Sequence, residues 1–455
     1  MPGSSSPNPA LTLDALTQSV ESGQIDTVLV VFTDMQGRLQ GKRVHARYFL
    51  DEVASHGMEG CNYLLAVDVD MNTVSGYEMS SWEKGYGDFV ITPDLATLRR
   101  APWLPSSVMV QCDLSWLDGT PVRQSPRQVL RAQVDEARRL GFTALGGTEL
   151  EFIVFRDSFQ EAFDADYRGL TGSTRYNIDY SVLGTSEDEP LMRDIRNAMY
   201  GAGLVVESSK GECNLGQHEI AFKYDEVLRT ADNHVVFKAA AKELVAQHGR
   251  ALTFMAKYDE REGNSCHIHM SVRGTDGGIV FTEGHDRSPV FSSFVAGVLA
   301  TLREFTLLYA PTVNSYKRYQ PGSFAPTAVA WGEDNRTCAL RVVGHGPGLR
   351  VENRVPGGDV NPYIAQAAML AGGLHGVRNS LELEPAFVGN AYESDSARVP
   401  STLRAARDLF AESEPAEAAF GKDVVAHYLR AADVELEAFE AAVTDWERRR
   451  GFERF

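Results

Sequence analysis

Five separated stretches of this chain alternate apolar residues with Glu, His or Arg at a period of two. In GGTELEFIVF (146–155), Leu150, Phe152 and Val154 fall on one side and Glu149, Glu151 and Ile153 on the other, because successive side chains of a strand point to opposite faces. CHIHMSV (266–272) puts His267 and His269 on a common face. LRVENRV (349–355) does the same for Arg350, Glu352 and Arg354. VVESSKGECNLGQHEIAF (205–222) adds Glu207, Glu212 and Glu219, with Gly216 marking a bend or bulge between the last two. NRTCALRV (335–342) adds Arg336 and Arg341. A half-exposed strand with a solvated face accounts for any one of these stretches. It accounts poorly for five, since like charges roughly 7 Å apart on one face are unfavourable without a cation to offset them. Strands joined in one sheet would pool these groups in a single trough.

Carboxylates with imidazoles suit hard or borderline divalent cations such as Mg2+ or Mn2+, and guanidinium forks suit phosphate and carboxylate groups. Cations beside arginines are what phosphoryl transfer requires. Neither GxxxxGK[ST] nor GxGxxG occurs, so a P-loop or Rossmann site is excluded; the glycines of GHGPG (344–348) and VPGGD (355–359) predict turns. The 455 residues carry 44 basic and 62 acidic side chains, a net charge of -18, which argues against nucleic acid or an anionic membrane as partner. Five scattered cysteines form no CxxC pair, so neither a disulfide framework nor structural zinc is expected, and the cytoplasm is the default compartment. No apolar run approaches the ~18 residues of a membrane span.

Along the chain, residues 1–10 read as a disordered arm and 11–22 as a helix. A strand at 26–34 turns at Gly37 into a return strand. A long polar and aromatic loop, DMNTVSGYEMSSWEKGYGD, follows, and a boundary fits near 117–125. Ser125, Pro126 and Gln128 predict a capped helix start with a capping box; Leu130, Val134 and Ala137 form its buried face, and Gly141 ends it. Further helices are expected over 232–249, 288–309, 361–378, 401–411 and 415–450.

TELEF, GQHEI, CHIHMS, NSYKRYQPG, NRTCALRV and RVENRVPGGDVNPY occur in the order and spacing of the glutamine synthetase family, bacterial type I. The chain resembles that family over nearly its whole length, and in particular its branch of glutamate–amine ligases. The resemblance implies an α+β fold: a small N-terminal β-grasp domain (11–117), and a catalytic domain (118–455) whose antiparallel sheet forms half a barrel backed by helices. It further implies a homododecamer of two stacked hexameric rings with active sites between neighbours. By the same resemblance, Glu151, Glu212 and Glu219 bind one metal, and Glu149, His267 and Glu352 a second. His269 and Arg341 contact ATP phosphates, Arg336 the transferred phosphoryl group, and Arg318 and Arg354 glutamate. Glu207, Tyr224 and Ser271 lie on the nucleotide side. Arg336, Arg318 and Glu352 are the implied catalytic residues. The implied reaction phosphorylates the γ-carboxylate of glutamate with ATP; an amine then displaces phosphate.

The sequence departs from the family at informative places. Ammonia-using members carry GYEAP in the flap after SYKR, and this chain has PGSFAP, with Phe324 at the glutamate position. Their DGSS aspartate has no counterpart; NYLLAVDVDMNT occupies that region, and Asp68, Asp70 or Glu78 could substitute. EGNSCHIH replaces NGSGMHCH, leaving Glu262, Asn264 or the Gly263 backbone to meet glutamate. Lys210 stands where relatives have histidines. Tyr392 falls near a tyrosine that some relatives modify, in different surroundings. An apolar flap residue favours an amine with a carbon body, such as ethanolamine, a polyamine or a simple alkylamine. The alternatives are an ammonia-using glutamine synthetase and an inactive relative acting as a scaffold or sensor.

Overall fold

The computed structural model describes residues 11–455; the expected arm, 1–10, lies outside the described residues. The run TVLVVFT forms β1 (Thr27–Thr33), which turns into β2 (Leu39–His45). With β3 (Met58–Cys61), β4 (Asp88–Pro93), β5 (Arg99–Arg100) and β6 (Ser107–Ser115) they form a mixed sheet in the order β2-β1-β6-β4-β3, β5 pairing with β6. β1 and β6 are parallel and central. Their apolar content is continuous because both faces are covered. Val28, Val30 and Phe32 enter a local core with Leu16 and Val20 of the helix Leu13–Glu21. Leu29 and Val31 face the opposite way, into the core of the rest of the molecule.

The larger sheet contains β7 (Phe142–Phe155), β8 (Val206–Gly211), β9 (Gln217–Phe222), β10 (Asp225–Glu226), β11 (Ala251–Thr253) and β12 (Cys266–Gly274). A separate hairpin of β13 (Thr282–Glu283) and β14 (Asp286–Arg287) intervenes before β15 (Trp331–Glu333), β16 (Leu340–Val343) and β17 (Arg350–Asn353) rejoin the sheet. Its order is β15-β16-β17-β12-β7-β9-β8, with β10 and β11 also paired to β7. Every pair is antiparallel except β15–β16.

The helices Pro126–Arg139 and Val227–Gln247 pack on β7, and Pro362–Asn379 lies against them and against Pro289–Thr301. That last pair crosses backbone to backbone: a Cβ on Gly376 would come within 1.9 Å of the Ser293 carbonyl oxygen and 2.6 Å of Gly297 Cα. Among the described residues, no helix is long and apolar enough to cross a membrane.

Several expected elements differ in extent. Pro126 does open its helix, and Leu130, Val134 and Ala137 are buried, but the Ser125 hydroxyl makes no capping bond, so no capping box forms. The expected 232–249 helix begins earlier, at Val227. The 288–309 segment breaks into Pro289–Thr301 and Thr306–Tyr309. The 415–450 segment divides into Glu414–Phe420, Lys422–Ala441 and Asp445–Gly451, the first break falling at Gly421 with φ 83°. The helix Glu189–Gly201 was not expected.

Candidate active site

The sheet register assembles the trough. Leu150, Phe152 and Val154 are fully buried in the core, which forces Glu149 and Glu151 onto the other face of β7. On that face Glu151 is the cross-strand partner of Glu219 on β9, and Glu149 that of His267 on β12. One step along, His269 pairs with Glu352 on β17, and Glu352 with Arg341 on β16. The five stretches that alternate in the sequence thus form one sheet.

Two clusters result. Ligand atoms of Glu151, Glu212 and Glu219 lie within 4.8 Å of one another, as do those of Glu149, His269 and Glu352. His267 also belongs at the second cluster, its Nδ1 3.4 Å from both Glu149 Oε2 and Glu352 Oε1. His269 Nε2 is 3.0 Å from Glu149 Oε1. Both imidazoles therefore face Glu149. Glu352 is completely buried; Arg341 Nη1 donates to its Oε2 at 2.8 Å, and Arg354 Nη1 donates to Oε1. Glu151 Oε2 accepts from the Ser265 backbone N–H at 2.7 Å and from Gln217 Nε2 at 3.2 Å. The Lys210 ammonium sits against Glu212, 3.8 Å from Glu219 and over the Tyr180 ring at 4.9 Å.

The first cluster is short of positive charge. Burial and then the neighbouring Glu149 carboxylate push the Glu219 carboxyl up to about 8, against the pull of Lys210. Burial opposes the charge on Glu149 too, but its bonds to His267 and His269 outweigh it and hold this carboxyl well below the usual range. Burial, followed by Arg354, lowers His267, against the pull of Glu149 and Glu352. Carboxylate oxygens with one or two imidazoles form a donor set that fits divalent cations.

Beside the trough, Glu207, Tyr224, His269 and Ser271 line a cavity of about 290 Å³ together with Arg273 and Arg350. Arg350 Nε donates to His269 Nδ1 at 3.2 Å, which leaves Nε2 facing Glu149. Arg273 was missed in the sequence, although the same period of two carries it onto the face of Ser271. Gln217 was missed as well; its amide ties Glu151 to the Gly263 carbonyl, 3.0 Å away, and to Asn264.

The implied glutamate-binding residues adjoin the trough through Arg354, which donates to Glu352, and through Gln217, which bonds the Gly263 carbonyl. Gly263 has no room for a side chain: a Cβ would approach the Ala256 carbonyl oxygen to 2.1 Å and Arg318 Cγ to 3.0 Å. Arg318 is buried, and its Nη2 donates to the carbonyls of Val355 and Pro356 at 2.6 and 2.7 Å. The Nε atoms of Arg318 and Arg354 are buried without a partner, two donors that a carboxylate substrate could satisfy. Phe324 is exposed, and its carbonyl accepts from Arg354 Nη2 at 3.4 Å. Arg336 is not gathered into the trough; it is exposed in a surface cleft with Asp334, Phe387 and Val388. Asp68 and Asp70 line a different cavity, between the smaller sheet and the helices Val227–Gln247 and Lys422–Ala441.

A carboxylate trough flanked by guanidiniums beside a ligand-sized cavity has the donor groups to hold divalent cations and anionic substrates together, as a metal-assisted ligase site does. The profile of the glutamine synthetase catalytic domain matches residues 123–451. The chain belongs to the glutamine synthetase family. It is 63% identical over 446 residues to the γ-glutamylethanolamide synthetase GlnA4 of Streptomyces coelicolor, covering 98% of this chain and 96% of the relative. It is 37% identical over 436 residues to the glutamate–isopropylamine ligase of a Pseudomonas species, covering 94% and 95%. Among solved structures, the GmaS/ADP complex superposes with a TM-score of 0.84 at 26% identity, covering 96% of this chain and 99% of that one.

Proposed function

We propose that the protein joins the γ-carboxylate of glutamate to a primary amine, ethanolamine or a polyamine, at the expense of ATP. The observation that carries this reading is Phe324, an exposed apolar side chain on the flap that leads to Arg354 and the trough. An ammonium ion offers it no apolar surface, whereas an amine with a carbon body does. The names of the S. coelicolor and Pseudomonas relatives support the same substrate class, the first favouring ethanolamine. Residues 11–117 are proposed as the small domain and 118–455 as the catalytic one. The working assembly is proposed to be a cytoplasmic dodecamer.

In this reading Glu151, Glu212 and Glu219 hold one Mg2+ or Mn2+, and Glu149, His267 and Glu352 another, with His269 adjacent. The bound cations would draw charge from the transferring phosphoryl group. Arg341 and Arg336 neutralise the phosphate oxygens, Arg336 by folding in from its exposed position. Arg318, Arg354 and the Gly263 backbone orient glutamate. Glu207, Tyr224 and Ser271 seat the nucleotide. The amine must lose a proton before it attacks the acyl carbon, since only the neutral form is nucleophilic.

The test is a substrate panel: purified protein with ATP, Mg2+ and glutamate, supplied in turn with ammonium, ethanolamine, putrescine, spermidine or methylamine, with products identified by mass spectrometry. A γ-glutamyl amide formed faster than glutamine is expected. Preferred use of ammonium would overturn the amine reading. Absence of phosphate release with every amine would point to the inactive scaffold.

A further inference from the structure

The segment 319–327 is irregular, and Phe324 within it has φ 58°. A side chain with a Cβ keeps that left-handed conformation only where its surroundings impose it. Here two consecutive carbonyls are held by side chains from different parts of the chain. The Phe324 carbonyl accepts from Arg354 Nη2 at 3.4 Å, and the Ala325 carbonyl accepts from the Tyr392 hydroxyl at 3.0 Å. Arg354 also grips Glu352, so the flap tip is one guanidinium away from the trough. Tyr392 is half-buried on the helical turn Ala391–Glu393. That turn is itself fixed, because the Ala391 N–H donates to Thr337 Oγ1 at 2.9 Å. The stem of the flap is zipped to the same part of the chain: Val329 N–H donates to the Ala397 carbonyl at 2.8 Å, and Val399 N–H to the Thr327 carbonyl at 3.1 Å.

We infer that Tyr392 is a positioning residue whose hydroxyl, together with Arg354, pins the tip of this flap, so that Phe324 meets the amine and water is kept from the acyl phosphate. The inference rests on the ligase reading above. Its chemical consequence is definite. If the tip is loosened, water attacks the acyl carbon in place of the amine. A new C–O bond forms, the bond from carbon to the phosphate oxygen breaks, and the protons of the attacking water pass to solvent. Glutamate is regenerated, and ATP is converted to ADP and phosphate with no amide made.

Tyr392→Phe retains the ring and removes only the hydroxyl. Hydrogen exchange of the intact protein is expected to show the 319–327 amides exchanging roughly two- to tenfold faster, as loss of one net hydrogen bond implies. The helix Pro362–Asn379 should be unchanged, which shows that the fold is intact. With the preferred amine, phosphate released per amide formed should rise above the wild-type ratio, a change that a merely less stable enzyme would not produce. Wild-type exchange in the flap of the variant would overturn the pinning role, and an unchanged phosphate-to-amide ratio despite faster exchange would overturn the shielding role. If wild type forms no amide with any amine while the exchange difference persists, the ligase reading fails and the Tyr392 clamp stands.

Discussion

Phe324 combines a strained backbone with an exposed apolar side chain. Left-handed φ at a residue with a Cβ costs about 1–2 kcal/mol, and glycine removes that strain while adding unfolded-state entropy. Phe324→Gly should therefore stay within about 1 kcal/mol of wild type in thermal unfolding. The KM for the amine should rise about tenfold from the lost apolar contact, as steady-state kinetics would register. Phe324→Glu should shift preference toward ammonium in competition assays. Glu352 is the opposite kind of residue, a fully buried carboxylate held by Arg341 and Arg354. Burial opposes its charge, yet His267 and then Arg354 keep it ionised. Glu352→Gln should lose about 3–5 kcal/mol in denaturant unfolding, and ATP-dependent phosphate release should fall at least ~100-fold. At this scale the acids and histidines were legible, since a period of two assigns each to a face. The backbone of Phe324 and the outward position of Arg336 were not, because irregular segments carry no period.

Individual elements are supported from behind as well as lined in front. On β9, Glu219 faces the trough while His218 points to the other side, where its Nε2 lies 2.7 Å from Asp188 Oδ2. Asp188 also accepts from Ser173 Oγ at 2.5 Å and from Arg250 Nη1 at 2.6 Å. It precedes the helix Glu189–Gly201 but does not cap it. Burial disfavours the Asp188 charge, but the bonds from His218, Ser173 and Arg250 outweigh it and hold the carboxyl below the usual aspartate range. A depressed carboxyl stabilises the fold fully above its unfolded pKa of about 3.9 and ceases to do so as the pH falls through the folded value. Asp188→Asn should lower stability at neutral pH by about 3–5 kcal/mol. It should also flatten the acid limb of a stability–pH curve recorded below about pH 4. The strands of this region were readable from alternation. The helix was passed over even though Leu191, Ile195 and Met199 are buried at helical spacing, and its leading Asp works on tertiary contacts rather than as a cap. The other helices were placed by their apolar faces, but their breaks at Gly421 and after Thr301 depend on packing.

The whole molecule is held across its two sheets by Arg127, which is almost entirely buried. From the helix Pro126–Arg139 it donates to Asp113 on β6 at 2.6 Å, to Asp94 beyond β4 at 2.8 Å, and to Asp232 of Val227–Gln247 at 2.9 Å. Arg131 adds a bond to Asp113 at 2.8 Å, and the Tyr363 hydroxyl donates to Asp232 at 2.6 Å. Arg127→Met strands these carboxylates and should cost about 3–5 kcal/mol, with an earlier, separate transition of the 27–115 sheet in calorimetry. This junction was invisible in the sequence, where Arg127 reads as an ordinary first-turn residue, and so was the second buried face of β1. The register described above has a further consequence for the life of the chain. Glu149 on β7 and Glu352 on β17 meet across the intervening strand β12 and stand far apart in the chain, and such non-local pairings are slow to form. A chain interrupted before β17 is synthesised would keep three acids of one cluster yet lack the keystone of the other. On the proposed metal reading, a full complement of divalent ions marks completed synthesis: saturating Mn2+ at a hundred times its dissociation constant should protect finished chains from heat by about 2.7 kcal/mol at each of two sites, and interrupted chains at the first cluster alone.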